Sequence, residues 1–368
     1  MTTLSSRLRA ALPDAAVLAR GPGRVNLIGE HTDYNGFPVL PMAIDRSLWV
    51  AAAPRPRAEI VIRSLDDARF APETIPLAAL ATRPPRKTWT DYVVAALRTR
   101  PPRTGLELVV AGDVPVAAGL SSSSALVVAT YLALEEPQDR IALAEEARLA
   151  ERYVGTLSGG MDQAISLLGL AGHALHLQFR PLRPRPVPLP ADLRVLVVDS
   201  GISAAKGGGV QDAYNSRVRE CGAAAQLLGA AAGGVLADVP GTDRLRRAQA
   251  LDDPLLRRRA RFVFAEAERV AQAEQALRSS VLEQLGRLLD ASHQGLRDDY
   301  EVSLPAIDQL VAELRAAGAL GARIVGAGFG GCLIGVCRAT QVDAICRRFA
   351  RPVMVCAAAP GAERQVLR

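Results

Sequence analysis

The segment "GRVNLIGEHTDYNGF", Gly23 to Phe37, concentrates side chains that could do chemistry. It brings Arg24, Glu30, His31 and Asp33 close together among glycines and asparagines. Asn, Asp and Gly are common in plain polar turns, so one interpretation is a charged surface loop. The other is a binding segment, because a small polar molecule requires both donors and acceptors around it.

A second segment, "DVPVAAGLSSSSALVVATYLAL", predicts a strand, a Gly-Ser loop and then an apolar helix. One serine would be enough to cap the free N–H groups of the first helical turn. Four serines, Ser121 to Ser124, together with Gly119 and Leu120, instead offer many donors at a helix N-terminus, where the dipole favours an anion. We predict a phosphate-binding loop, with simple capping as the alternative. The GxxxxGK[ST] pattern of a Walker A loop is absent.

Two further segments extend this set of residues. In "GGMDQAIS", Asp162 could simply complement a helix dipole, or it could lie near Arg24 and accept a proton from a substrate hydroxyl. In "GARIVGAGFGGCLIGV", four glycines within six residues exceed what a hairpin needs, which favours close approach of the backbone to a ligand. A phosphate loop, a glycine-rich loop and a carboxylate together indicate phosphoryl transfer to a hydroxyl.

Composition narrows the class of protein. The chain has 368 residues, a net charge of +6 and five cysteines without the spacing of a zinc site. The charge is modest and acids are interspersed among the arginines, which disfavours nucleic-acid binding. The sequence contains no apolar run of membrane-spanning length and no signal-peptide pattern at its start, so we predict a cytoplasmic protein that needs neither membrane nor nucleic acid.

The predicted elements divide the chain into two α+β halves. Strands are predicted in the first half at 48–54, 58–64 and 105–115, and helices at 123–136 and 140–154. The second half is predicted to contain a strand at 193–201, one helical region from Asp252 to Leu289, a helix at 304–318 and strands at 322–328 and 331–338. The Pro/Arg-rich segment Phe179 to Leu193 is predicted to cross between the halves, with a cleft between them. The predicted domains are 1–180 and 190–368.

With these motifs in order, the chain resembles the sugar kinases of the GHMP superfamily, and within it the galactokinases. The resemblance implies a two-domain α+β GHMP kinase fold, with an N-terminal ribosomal-S5-like α/β domain and a C-terminal ferredoxin-like α+β domain. It implies ATP and Mg²⁺, and the C1 hydroxyl of a sugar as phosphoryl acceptor. The partner is thus a small-molecule sugar; we predict a monomer, with a dimer as the alternative.

The resemblance also implies roles for individual residues. Asp162 matches the catalytic carboxylate and Arg24 the arginine that orients it. Hydrogen bonds to the sugar are implied for five positions: Glu30, His31, Asp33, Gly159 and Tyr214. Residues Gly119 to Ser124 match the loop around the ATP phosphates, Trp89 is a candidate for the adenine pocket, and Ser123 with Glu151 matches the pair that holds magnesium.

Some segments depart from the common galactokinase pattern. "ERYVGTLSGGMDQAIS" and "KGGGVQDAYNSRVREC" look closer to the N-acetylgalactosamine kinases and fungal galactokinases. The leading prediction is a galactokinase that forms α-D-galactose 1-phosphate. The alternatives are the same chemistry on N-acetylgalactosamine, L-arabinose or galacturonate, or a sensor that binds galactose and ATP without catalysis.

Overall fold

The computed structural model describes residues 3–116, 118–202 and 209–367. The helices within these ranges are α1 (Leu4–Ala11), α2 (Thr90–Thr99), α3 (Ser122–Leu134), α4 (Arg140–Ala150), α5 (Met161–Leu168), α6 (Gly209–Leu227), α7 (Arg244–Gln249), α8 (Pro254–Arg278), α9 (Leu282–Asp298), α10 (Pro305–Ala317) and α11 (Val342–Arg348). The strands are β1 (Val17–Asn26), β2 (Pro41–Arg55), β3 (Glu59–Ser64), β4 (Glu73–Pro76), β5 (Gly105–Gly112), β6 (His173–Gln178), β7 (Arg183–Pro188), β8 (Leu193–Asp199), β9 (Gly321–Ile324), β10 (Cys332–Arg338), β11 (Met354–Cys356) and β12 (Glu363–Val366). The predicted α+β class is confirmed.

The larger sheet has the strand order β12-β1-β2-β5-β3-β4. Its neighbours are antiparallel except for β3 and β5, which run parallel. Strands β1 and β2 pair from Val17 with Ala52 to Asn26 with Pro41, and their register shifts between Pro22 and Arg24. Such an irregularity re-aims the side chains beside it, and Arg24 follows it directly.

Helix α3 packs on this sheet, against β1, β2 and α2. Its segment from Ser124 to Ala133 is buried on every side, because alanine, leucine and valine occupy positions all around the helix. A helix buried in this way has a fixed position. The serine-rich segment at its N-terminus is therefore anchored to the core of the first half.

The smaller sheet has the antiparallel order β11-β8-β10-β9, and α9 packs against β9 and β10. The long helical region predicted from roughly Asp252 to Leu289 consists of two helices, α8 and α9, and continues to Asp298. Ser280 between them has a φ of +55°, a left-handed conformation that an α-helix does not continue through.

The segment predicted to cross between the halves contains a strand, β7, which pairs with β6 as a two-stranded hairpin. Proline-rich edge strands are compatible with this arrangement because proline lacks the N–H that a central strand needs. The chain also returns to the first sheet, since β12 pairs with β1. The domain limits 1–180 and 190–368 stay a prediction, with β12 contributed by the second segment to the first sheet.

A shared hydrophobic core joins the two halves beneath the cleft. It combines Val25, Leu27 and Leu40 from the first half with side chains of the second half such as Val197 and Leu285. Within the ranges that the structure describes, every helix is too short or too polar to cross a membrane.

Candidate active site

Arg24 and Asp162 form a two-pronged ion pair in the cleft. Arg24 Nε donates to Asp162 Oδ1 at 2.8 Å and Nη2 donates to Oδ2 at 3.0 Å. The Arg24 side chain is buried, whereas that of Asp162, in the first turn of α5, is 25% exposed toward the cleft. Burial alone would lower the pKa of Arg24, but the charges of Asp162 and Glu30 outweigh it and raise that pKa. Such a paired fork fixes the orientation of the carboxylate.

The serine loop, Gly119 to Ser124, lies against this pair. Arg24 Nη1 donates to the carbonyl of Gly119, and the Ser121 hydroxyl donates to Asp162 Oδ2 at 2.6 Å. Ser121 has a φ of +58° and its side chain does not cap the helix that begins at Ser122. Simple capping therefore does not account for Ser121. The first N–H groups of α3 have no partner within the helix, and the residues Ser121 to Ser124 that carry them line the second cavity.

The glycine-rich loop, Val325 to Gly331, packs backbone against backbone on the serine loop. A Cβ added to Gly326 would lie 3.0 Å from the Gly119 carbonyl oxygen, and one added to Gly119 would lie 3.0 Å from that of Val325. Cys332 N donates to Ala118 O at 2.9 Å. Contact with the serine loop accounts for Gly326 and Gly331, and Gly328 packs against Val302. Gly326 also lines the second cavity, so close approach to a ligand stays a prediction.

Two cavities, each of about 700 Å³, open on either side of the serine loop. The first cavity is lined by apolar side chains such as Phe70, Val114 and Leu126 and also by charged ones, among them Asp66 and Arg69. The second cavity contains the predicted site residues Arg24, Glu30, His31, Asp33, Gly119, Ser121, Ser122, Ser123, Ser124, Trp89, Glu151, Asp162 and Tyr214. Ser122, Ser123, Trp89 and Tyr92 line both cavities, so the two spaces meet at the serine loop.

Glu30 lines the second cavity, but protein groups already hold its carboxylate. Oε1 accepts from both terminal nitrogens of Arg323, each at 3.2 Å, and from the backbone N–H of Gly326 at 2.9 Å. Oε2 accepts from Asn26 Nδ2 at 3.2 Å. Arg323 is completely buried and also donates to the carbonyls of Asn26 and Leu27. A strand of the second half thereby fixes the binding segment of the first.

His31 lies in an aromatic cluster at the wall of the second cavity. Its ring centroid lies 5.7 Å from that of Tyr214 and 4.7 Å from that of Tyr300. Nδ1 bonds the Tyr34 hydroxyl at 2.9 Å, and Tyr34 bonds Tyr300 at 2.7 Å. Burial, then the charge of Arg217, lowers the pKa of His31 to about 3. The ring is therefore neutral at physiological pH, and its buried Nε2 has no hydrogen-bond partner in the described ranges.

Asp33 points toward the turn that precedes α5, where Gly159 leaves room for it. A Cβ added to Gly159 would lie 2.3 Å from the Asp33 carboxyl group, so any larger residue would displace that group. Met161 N lies 3.5 Å from Asp33 Oδ2. Burial, followed by the nearby charge of Asp162, raises the pKa of Asp33 to about 6. Gly159 therefore acts on the cavity through Asp33.

Glu151 lies behind the serine loop, at the end of α4. Its carboxylate accepts a hydrogen bond from the Ser124 hydroxyl at 2.6 Å, whereas the family resemblance pairs it with Ser123. The hydroxyls of Ser122 and Ser123 make no side-chain hydrogen bond within the described ranges, and both residues line the cleft. Burial raises the pKa of Glu151 to about 7. The magnesium role of Ser123 and Glu151 stays a prediction.

Trp89 lies where the two cavities meet. Its Nε1 donates to the carbonyl of Ala71 at 2.9 Å, and Phe70 packs edge-on with its ring centroid 5.9 Å away. The ring also packs against the hydrophobic core of the first half. Trp89 therefore packs on the core and also forms part of the cavity wall. Its contact with adenine stays a prediction.

Sequence reasoning missed several supporting residues: Asn26, Tyr34, Gln163, Tyr300 and Arg323. Asn26 and Tyr34 lie inside the opening motif, and Gln163 follows Asp162, so proximity could have indicated them. Arg323 sits in an apolar strand, "ARIVG", where a charged residue requires a buried partner. That isolated arginine was the available signal, whereas nothing local indicates Tyr300.

Three family models match the chain. The galactokinase galactose-binding signature matches residues 8–54, the GHMP kinases N terminal domain matches 89–170, and the GHMP kinases C terminal model matches 273–353. A galactokinase of Chloroflexus aurantiacus is 41% identical over 89% of this chain and 85% of its own length. A galactokinase of Roseiflexus is 39% identical with the same coverage.

The fold also matches solved structures. The crystal structure of Lactococcus lactis galactokinase complexed with galactose has a TM-score of 0.86 and 27% identity, and each chain is covered over 98% of its length. Methanococcus jannaschii mevalonate kinase, at 16% identity and a TM-score of 0.64, shares the fold across 93% of this chain and 98% of its own. Together, the agreement of sequence over most of the chain and of fold over nearly all of it shows that this chain belongs to the galactokinase family of GHMP kinases.

Proposed function

We propose that this chain transfers the γ-phosphoryl group of ATP to the C1 hydroxyl of D-galactose, giving α-D-galactose 1-phosphate and ADP. The observation that carries the proposal is the ion pair of Arg24 and Asp162, which faces the second cavity beside the serine loop. The relatives named above are galactokinases, and one of them is described in complex with galactose. The prediction from sequence that some features lie nearer the N-acetylgalactosamine kinases is not favoured by these matches.

The role proposed for Asp162 is to receive the proton of the C1 hydroxyl as its oxygen attacks the γ-phosphorus, while ADP leaves. Three donors hold the carboxylate: Nε and Nη2 of Arg24 and the hydroxyl of Ser121. Each carboxylate oxygen has two acceptor sites, so one remains for a substrate proton. Phosphoryl transfer relies mainly on such positioning, and Arg24 keeps the carboxylate aimed at the cleft.

The serine loop supplies the groups suited to ATP phosphates. The start of α3 presents backbone N–H donors, and Ser122 and Ser123 keep hydroxyls that protein groups do not occupy within the described ranges. Both residues line the two cavities, which supports a phosphate chain that lies between a nucleoside in one cavity and a sugar in the other. The first cavity contains the aromatic rings of Trp89 and Phe70, against which a nucleobase could pack.

The donor set fits Mg²⁺. Glu151 and Ser123 offer the oxygen ligands that this ion prefers, and the second cavity is acidic, with Asp33, Asp91 and Asp162 in its wall. Within the described ranges no cluster of three or more His, Cys, Asp or Glu could hold a metal alone. This suits Mg²⁺, which typically binds one or two protein groups together with phosphates and water. When bound, it would neutralise charge on the phosphates.

The sugar would lie against His31, Asp33 and Tyr214. Asp33 offers an acceptor, Tyr214 a hydroxyl, and the unpartnered Nε2 of His31 one further polar atom, which together suit the mixed donors and acceptors of a hexose. Glu30 keeps a cavity-facing position, although its hydrogen bonds to Arg323, Gly326 and Asn26 make its main task the support of the segment. Action in the cytoplasm and the monomeric state stay predictions.

The test is a sugar panel that measures ADP release with ATP and Mg²⁺. We expect release to depend on galactose, with kcat/KM highest for galactose among galactose, N-acetylgalactosamine, L-arabinose and galacturonate. A higher kcat/KM for another sugar would overturn the substrate assignment but not the reaction. Binding of galactose and ATP without ADP release from any sugar would instead support the sensor alternative.

A further inference from the structure

The hydroxyl of Ser124 is bonded by protein side chains on both sides. Ser124 is 1% exposed, and its Oγ donates to Glu151 Oε1 at 2.6 Å and accepts from Gln163 Nε2 at 3.2 Å. A buried hydroxyl in a helix ordinarily bonds the carbonyl one turn earlier. Thr130, in the same helix, does so with the carbonyl of Leu126 at 2.8 Å. The direction of the Ser124 hydroxyl is therefore set by Glu151 and Gln163.

Gln163 determines which group the Ser124 hydroxyl donates to. It is completely buried, follows Asp162 in α5, and its Oε1 accepts a 3.4 Å bond from the Ser158 hydroxyl. Because the Gln163 N–H occupies a lone pair of Ser124, the serine hydrogen is left for Glu151. The three side chains thus connect α3, the end of α4 and the helix that carries Asp162.

The hydrogen bond from Ser124 restricts the orientation of the Glu151 carboxylate. Its Oε1 is taken by Ser124, and its Oε2 accepts no hydrogen bond of ordinary geometry within the described ranges, while the residue lines the second cavity. A buried carboxylate with one oxygen fixed can turn only about that contact. Its other oxygen is thereby left available to the second cavity, which Glu151 lines together with Ser123.

We propose that Ser124 is a positioning residue, rather than a phosphate ligand, which holds Glu151 so that its free oxygen meets the divalent cation of the ATP complex. The proposal rests on the proposed function, in which Glu151 binds that cation. Groups that orient a metal ligand from behind commonly change metal affinity by about 10- to 100-fold when removed. Ser124 differs in this way from Ser122 and Ser123, whose hydroxyls face the cleft.

The test is Mn²⁺ binding to the protein with ADP, followed by electron paramagnetic resonance, in the wild type and in Ser124→Ala. We expect the Kd for Mn²⁺ to rise about 10-fold in the variant, and the Kd for galactose, measured by calorimetry without nucleotide, to stay unchanged. Thr130→Val is the matched control, because it removes a buried hydroxyl from the same helix without touching Glu151. We expect it to leave both Kd values unchanged.

A double-mutant cycle with Glu151→Gln separates positioning from general support of the fold. If Ser124 acts through Glu151, Ser124→Ala changes the Kd for Mn²⁺ much less in the Glu151→Gln background. Additive effects, an unchanged Kd in Ser124→Ala, or an equal loss in Thr130→Val would each overturn the proposal. If Ser124→Ala does not fold, Ser124→Cys retains a side chain of similar size with a weak donor, and an unchanged Kd there is equally contradictory.

The failure of the proposed function would look different. In that case the wild type would release no ADP with any sugar, whereas the Mn²⁺ measurements need no turnover. The role of Ser124 toward a cation bound with ADP can thus be overturned or supported separately.

Discussion

The two sides of the second cavity are built in opposite ways. On the side proposed for the sugar, protein contacts hold the polar groups: Glu30 by Arg323 and the Gly326 N–H, and His31 by Tyr34. On the side proposed for the phosphates, Ser122 and Ser123 keep hydroxyls with no side-chain hydrogen bond within the described ranges. One side is assembled before a ligand arrives, and the other keeps its donors available.

This difference follows from the chemistry of the two ligands. A neutral sugar offers only hydrogen bonds, each of modest net free energy, so groups already held in place reduce the entropy lost on binding. A triphosphate carries charge that draws a helix N-terminus and a cation to it, and it can order flexible hydroxyls itself. Asp162 lies between the two sides and belongs to neither.

The largest effect is expected from Asp162→Asn, which separates chemistry from binding. The amide keeps the shape of the side chain but is a far poorer proton acceptor, so kcat should fall by roughly 10² to 10⁴. Steady-state kinetics measures kcat, and calorimetry measures the Kd values of galactose and ADP, which should stay within about 3-fold of wild type if the two sides are independent of this residue. Turnover at the wild-type rate would remove Asp162 as the proton acceptor.

Arg323→Met tests the sugar side by removing the buried ion-pair partner of Glu30. The change leaves Glu30 as an unpaired buried carboxylate, for which the expected loss in the free energy of unfolding is about 3–5 kcal/mol. Urea denaturation of the ligand-free protein measures it. Arg338→Met is the matched control, since its ion pairs with Asp192 and Glu283 are exposed and should contribute about 1 kcal/mol or less. Equal losses in the two variants would contradict prior assembly of this side.

Asp33, on the sugar side, should make the free energy of unfolding depend on pH. Its pKa is raised from 3.8 to about 6, so between these values the unfolded chain releases a proton that the folded protein keeps. Stability should therefore fall as pH rises through this window, by up to about 3 kcal/mol from this residue. Urea denaturation of the ligand-free protein at about pH 4 and about pH 7 measures the fall.

Asp33→Asn should remove the contribution of Asp33 to this fall in the free energy of unfolding with pH. A contribution from Glu151 should remain, because its pKa is raised from 4.5 to about 7. The Kd for galactose is a second readout. The amide side chain of this variant does not titrate, so any pH dependence of this Kd that Asp33 causes should disappear. An Asp33→Asn protein with the full wild-type slope would show that Asp33 is not the buried acid on this side.

The smallest effect is expected from Ser122→Ala on the phosphate side. Because no side-chain partner is lost within the described ranges, the free energy of unfolding should change by about 0.5 kcal/mol or less. Loss of one hydrogen bond to a phosphate should raise the KM for ATP by about 3- to 10-fold. Kinetics with galactose held at saturation measures the KM, and a destabilised variant with unchanged KM would reverse the comparison.

The sequence predicted what depends on local pattern. The helix after Ser121 and strands such as β8 and β10 follow from apolar runs of the right length. The resemblance placed Arg24 and Asp162 in one site, although 138 residues separate them, and the structure joins them. The break between α8 and α9 was missed, since Ser279 and Ser280 do not interrupt the surrounding helical pattern strongly.

What stayed hidden depends on contacts between distant segments. The bond of Glu30 to Arg323 spans 293 residues, and neither residue's neighbours indicate the other. Sequence also cannot show that Gly326 and Gly331 of the glycine-rich loop pack on the backbone of the serine loop. Likewise, four adjacent serines look equivalent in sequence, yet helical geometry turns Ser124 inward and leaves Ser122 and Ser123 at the cleft.

The pairing of β12 with β1 has a consequence for the order of events during synthesis. Arg20 in β1 donates to the carbonyls of Pro360 and Gly361, 340 and 341 residues later in the chain. On the ribosome, β1 emerges well before β12, and its outer edge has no partner until about 340 further residues have been made. Until then the outer edge of β1 is an open sheet edge, which is the kind of edge that pairs wrongly with other strands.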